Sequence, residues 1–131
     1  MVNKNLLPLY KRLYEKDFDY SEFEMRMNMQ KAVYLLQTLG VPVGDYGFRW
    51  YLHGPYSQDL QDDMYAAGKE KTEPQDVLAQ YNRRIDRLYH LIHAVNRGSY
   101  SISQWMECLA SLHYLQDNVM DYDATMDDTL A

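Results

Sequence analysis

The apolar residues of this chain recur at helical spacing almost throughout, and the spacing changes once. From Tyr46 to Leu52 the period is two, with Tyr46, Phe48, Trp50 and Leu52 on one side and Gly47, Arg49, Tyr51 and His53 on the other. Alternation this rich in aromatics predicts a half-buried strand. Gly54-Pro55 follows as a turn signal, and a short piece around Val41 to Val43 is a candidate partner for the strand. The flanking sequence reads as helix, which commits the chain to a helical core with one small β-element.

Leu6, Leu9, Tyr10 and Leu13 predict a first amphipathic helix. Asp17 to Tyr20 reads as a loop. Ser21-Glu22-Phe23-Glu24 has the form of a capping box, so a second helix starts there or nearer Asn28. Its stripe of Met25, Met29, Ala32, Val33, Leu36 and Leu39 ends at Gly40. Ser57 is placed to cap a third helix, with Asp59 near its positive end. That helix runs through Leu60 and Met64 to about Ala67, and Gly68 closes it. Pro74 suits the first turn of a fourth helix. There Leu78, Tyr81, Ile85, Leu88, Ile92 and Val95 alternate in steps of three and four before Gly98. Ser101-Ile102-Ser103-Gln104 resembles a second capping box. The last stripe is Ile102, Trp105, Met106, Leu109, Leu112, Leu115 and Val119.

The expected fold is therefore mainly α: about five helices, with one short strand or small β-hairpin between helices 2 and 3. A winged-helix-like arrangement, the strand serving as wing, fits this order. The 131 residues suit one domain, 1–131, with an acidic tail from about residue 120. Cys108 is the one cysteine and falls among Trp105, Met106 and Leu109, where a thiol is expected to be a small buried hydrophobe. The first residues carry no secretory pattern and no apolar run reaches a membrane span, so the cytoplasm is the expected compartment.

The net charge of −6 disfavours non-specific binding to a phosphate backbone. A basic face nevertheless runs along the fourth helix through Arg83, Arg84, Arg87 and Arg97. Motifs for chemistry are missing. His90 and His93 stand three apart, but no HExxH or CxxC accompanies them, so no metal site and no cofactor is expected. Asp121 to Asp127 only faintly resembles a calcium loop, with Met126 where the loop needs glycine. Ser57 has no nucleophile elbow around it. Asp62 and Asp63 are adjacent, so they diverge on a helix. An enzyme is not the expectation.

Gln30-Lys31-Ala32-Val33-Tyr34-Leu35-Leu36, then Phe48-Arg49-Trp50-Tyr51, then Gly54-Pro55-Tyr56-Ser57-Gln58-Asp59-Leu60, resembles the YwgA-like proteins. These are similar in turn to the Panacea, or SocA-like antitoxin, domain. Met27 to Leu60 carries the match, and Ala110 to Leu115 looks like a later helix of the group. Tyr56-Ser57 departs from the Panacea pattern, which more often has valine after Gly-Pro. The resemblance implies a domain that neutralises a small toxin by direct contact or acts as an adaptor, and it carries over no catalytic residue. The expected function is a non-enzymatic protein-binding module, the antitoxin or adaptor component of a toxin–antitoxin or phage-defence system. Arg49, Tyr51, His53 and Tyr56 are its expected contact residues, gathered at one rim. The alternative is a DNA-binding regulator using Arg83, Arg84, Arg87 and Arg97; a metal-dependent hydrolase built on His90 and His93 is a third class.

Overall fold

The computed structural model describes residues 3–69, 78–94 and 98–117. Five α-helices and one antiparallel hairpin lie within them: α1 (Leu6–Tyr14), α2 (Phe23–Thr38), β1 (Arg49–Tyr51), β2 (Gly54–Tyr56), α3 (Gln58–Lys69), α4 (Asn82–Ile92) and α5 (Ile102–Leu115). A single 3-10 turn, Ala79–Tyr81, leads into α4. The fold is mainly α with its hairpin between α2 and α3. Among the described residues no helix is long and apolar enough to cross a membrane.

Helix α2 is the centre of the packing. Its stripe of Met29, Ala32, Val33 and Leu36 meets Leu6, Leu9 and Leu13 of α1, Leu60 and Met64 of α3, and Ile85, Leu88 and Ile92 of α4 in one core. The burial does not stop at the stripe. Every residue from Asn28 to Leu36 is buried, because α5 and β2 cover the face of α2 that would otherwise be wet. Polar side chains so enclosed need partners inside the protein, and Gln30 and Lys31 find theirs in the hairpin.

Helix ends follow local hydrogen bonding. Ser57 accepts the Leu60 amide at 3.2 Å and opens α3. At α5 the capping box is complete: Ser101 Oγ accepts the Gln104 amide at 3.1 Å, and Gln104 Oε1 accepts the Ser101 amide at 3.0 Å. The box expected at Ser21 does not form. Asp19 takes both the Ser21 amide and the Ser21 hydroxyl, and α2 begins at Phe23 with Glu22 at its cap. Helix α3 continues through Gly68 to Lys69 rather than closing at the glycine. Helix α4 ends at Ile92, well before Gly98, where His93 turns its ring onto the Leu13 carbonyl of α1 at 2.8 Å. Pro74, Val95, Val119 and the acidic segment from about residue 120 lie outside the described residues.

Two further expectations change. Helix α5 presents Ile102, Met106 and Ala110 to the core, a line with steps of four, so only Met106 and Ala110 are buried outright and Leu112 is exposed. Cys108 lies off that line and is exposed, not a core thiol.

The strand is shorter and wetter than its alternation predicts. Only Arg49–Tyr51 pairs, and all three of its residues are exposed. Its partner is Gly54–Tyr56, in the register Arg49↔Tyr56, Trp50↔Pro55 and Tyr51↔Gly54, and not Val41 to Val43, which packs into the core. The reversal therefore falls at Leu52-His53, two residues before the Gly-Pro pair. Gly54 makes it possible from the exit side, with φ of +101°, where a side chain is strained. A Cβ there would also meet Ser111 Oγ of α5 at 2.5 Å, so glycine lets β2 lie directly on α5.

Candidate functional site: the clamped hairpin

Two glutamines of α2, two turns apart, hold the ends of the segment that carries the hairpin. Gln37 accepts the Tyr46 amide and donates to the Tyr46 carbonyl, both at 3.0 Å. Gln30 does the same at the other end: Oε1 accepts the Ser57 amide at 2.9 Å and Nε2 donates to the Ser57 carbonyl at 2.8 Å. Between these clamps Lys31 Nζ donates to the Pro55 carbonyl at 3.2 Å. Burial pulls the Lys31 ammonium down to about 8, and the nearby Glu107 carboxylate works against that shift. The Tyr46 hydroxyl adds a fourth tie, donating to Asp63 at 2.6 Å and accepting from Asn3 at 2.8 Å; burial, then Asp63, pushes that phenol well above its ordinary value.

Held in this way, the segment divides its side chains. Phe48 packs edge-on against Tyr34 of α2 at 5.2 Å, and Trp50 leans on Tyr114 of α5 at 5.9 Å. On the other side Tyr51 and Tyr56 stack as neighbours across the strands at 5.3 Å. Arg49, Tyr51 and Tyr56 line one groove of about 490 Å³, together with Phe48, Trp50 and Asp59. The Tyr56 hydroxyl meets Gln58 at 3.2 Å, and its phenol is raised, first by burial and then by neighbouring tyrosines and Asp62. Trp50, Tyr51 and Leu52 are 50%, 57% and 78% exposed, a run of three large apolar side chains at the tip.

Three of the four expected contact residues thus come together, and the fourth does not. His53 leaves the turn on the opposite side, with its ring at 5.6 Å from Phe23 and Nδ1 at 3.6 Å from Glu107. The two-residue turn breaks the alternation that would have kept it beside Tyr51. Trp50 and Leu52, which the period assigned to the fold, belong instead to the exposed tip. Gln30, Gln37 and Lys31 were the residues missed as organisers of this surface. Two glutamines and a lysine on the wet side of the α2 stripe can reach backbone groups, but the same side chains are equally at home on a surface, so no local signal singled them out.

The basic helix is partly committed elsewhere. Arg84 donates to the Gly40 carbonyl at 3.2 Å, just past the end of α2, and lies over Tyr81. Arg83 and Arg87 are exposed one turn apart on α4, beside Asp86, which pairs with Arg12 at 2.9 Å. Arg97 lies outside the described residues. His90 and His93 do not converge: His93 is held by Leu13 while His90 is exposed. Among the described residues no three His, Cys, Asp or Glu side chains are grouped to hold a metal. No protein-family model, curated protein or solved structure matches this chain.

Proposed function

We propose that the protein is a non-enzymatic module that binds a protein partner through the β1–β2 hairpin. Tyr51, Tyr56 and Arg49 form the contact, and Trp50 and Leu52 extend it. The observation that carries this reading is the exposed run Trp50-Tyr51-Leu52 on a hairpin whose base is tied to the core by Gln30, Gln37 and Lys31. Tyrosine and tryptophan anchors dominate binding energy at interfaces. Anchors already fixed in place lose little conformational entropy when they bind, so less of the contact energy is offset. The resemblance to YwgA-like and Panacea domains supports a specific partner, a small toxin polypeptide, with this protein as antitoxin or adaptor. His53 keeps a place in the reading only at the edge of the hairpin, through its turn.

The test is to place a photo-crosslinking residue at position 51 and, as control, at Lys69 on the far end of α3, and to compare the products in the native cell. One polypeptide captured from position 51, absent from position 69 and lost on Tyr56→Ala, supports the reading. In a reconstituted complex each tyrosine-to-alanine change should cost about 2 kcal/mol, roughly thirty-fold in Kd, while helicity and Tm stay near normal. Equal capture at both positions, or unfolding of Tyr56→Ala, would sink it. A DNA-binding regulator using Arg83, Arg84, Arg87 and Arg97 is the rival. It has weaker support, since Arg84 is spent on the Gly40 carbonyl. Duplex binding at low salt that disappears in Arg83→Ala/Arg87→Ala would revive it.

A further inference from the structure

Lys31 has a second environment besides the hairpin clamp. A cavity of about 260 Å³ opens between the first half of α2, the Leu52-His53 turn and the start of α5, and Lys31 lines it together with Phe23, Glu24, Met27, His53 and Glu107. The side chains are sorted by depth. Lys31 is 2% exposed and forms the floor. His53 and Glu107 are about half exposed at the mouth, and Glu24, which accepts from Ser103, is exposed beside them. Phe23 and Met27 supply apolar wall.

The floor is electrostatically incomplete. An ammonium has three protons to donate, and the Pro55 carbonyl takes one of them. Among the described residues no carboxylate lies within ion-pair distance of Nζ. A buried cation whose nearby carboxylate, Glu107, stays beyond ion-pair distance is costly and gains from an anion that reaches it. A bare anion would have to pass Glu24 and Glu107, however, and a bare amine held by those two would face Lys31. A molecule carrying both charges meets both ends. The volume is below that of ordinary drug-sized pockets, which selects something small.

We propose that this cavity binds a free α-amino acid, its carboxylate on Lys31, its ammonium at Glu24 and Glu107, and its side chain against Phe23 and Met27. The site is separate from the Tyr51–Tyr56 groove and stands whether or not that groove binds a protein. Calorimetric titration of the full chain with each common L-amino acid, its N-acetyl derivative and its methyl ester tests it. At least one free amino acid should bind, with both blocked forms at least tenfold weaker. Glu107→Gln, a change at a half-exposed position that leaves the Pro55 clamp intact, should weaken the free amino acid to the level of its N-acetyl form. Lys31→Met, if circular dichroism shows it folded, should abolish binding. The proposal is overturned if no free amino acid binds, if the N-acetyl form binds as tightly, or if Glu107→Gln binds unchanged.

Discussion

The Gln30 clamp is the contact whose removal should be felt most for its size. Gln30 is fully buried, and its side chain satisfies both the amide and the carbonyl of Ser57. The two losses are not equal. The Ser57 carbonyl keeps a second donor, the Gln61 amide at 3.1 Å, as part of α3. The Ser57 amide precedes the helix and has no other partner among the described residues, so Gln30→Met, which fills much the same volume, strands one buried N–H. That costs about 1–3 kcal/mol. Gln30→Ala adds a cavity where four heavy atoms stood, raising the cost to roughly 3–4 kcal/mol. Gln37→Met supplies the comparison, because the Tyr46 amide it serves is only part-buried and water can replace the glutamine. There the expected loss is about 0.5–1 kcal/mol. Urea unfolding at fixed m-value measures all three, and amide exchange at Ser57 reports whether the loss is local. If Gln30→Met lies within about 0.5 kcal/mol of wild type, or costs less than Gln37→Met, the clamp does not hold the hairpin and the reasoning fails.

Gly54→Ala should cost about 2–4 kcal/mol, from strain at φ +101° and from the clash with Ser111, and adding Ser111→Ala should recover only the clash; full recovery in the double variant would show that the backbone is not strained. Lys31 makes stability depend on pH in a defined direction. Its folded pKa is about 8 against an ordinary 10.5, so between those values the unfolded chain holds a proton the folded chain has released, and Lys31's contribution to stability rises with pH. His53, Glu24 and Glu107 are the other titratable groups lining the same cavity. The rise should appear as wild type minus Lys31→Met in urea midpoints across that window, and a flat difference would refute it. Cys108, exposed on α5, should react with a thiol reagent in the native protein without prior unfolding; protection until unfolding would return it to the core.

The helices were readable because each places one apolar stripe on the core. Leu6, Leu9 and Leu13, or Ile85, Leu88 and Ile92, are buried for the reason their spacing implies. The capping serines at 57 and 101 were readable for an equally local reason. What period analysis misses is a helical stretch with no wet face, as in α2 from Asn28 to Leu36. There Gln30 and Lys31 fall where the stripe predicts solvent, and nothing local distinguishes them from surface residues. Their burial is decided by α5 and β2, which arrive from elsewhere in the chain.

The same fact accounts for the misreading of the strand. Alternation of Tyr46, Phe48, Trp50 and Leu52 predicts that one side of the strand is buried, since burial is the usual way such a segment is held. Here the Gln37, Lys31 and Gln30 side chains of α2 hold it by hydrogen bonds to the backbone of Tyr46, Pro55 and Ser57. Only Tyr46 and Phe48, near the first clamp, reach the core. Beyond them the aromatics of β1 are not required for anchorage, and they stay largely in water at the tip. A chain that anchors a hairpin with buried glutamines and lysine leaves its tryptophan and tyrosine free to meet something else. This division of labour, more than the abundance of aromatics, is what the proposed binding role of the hairpin rests on.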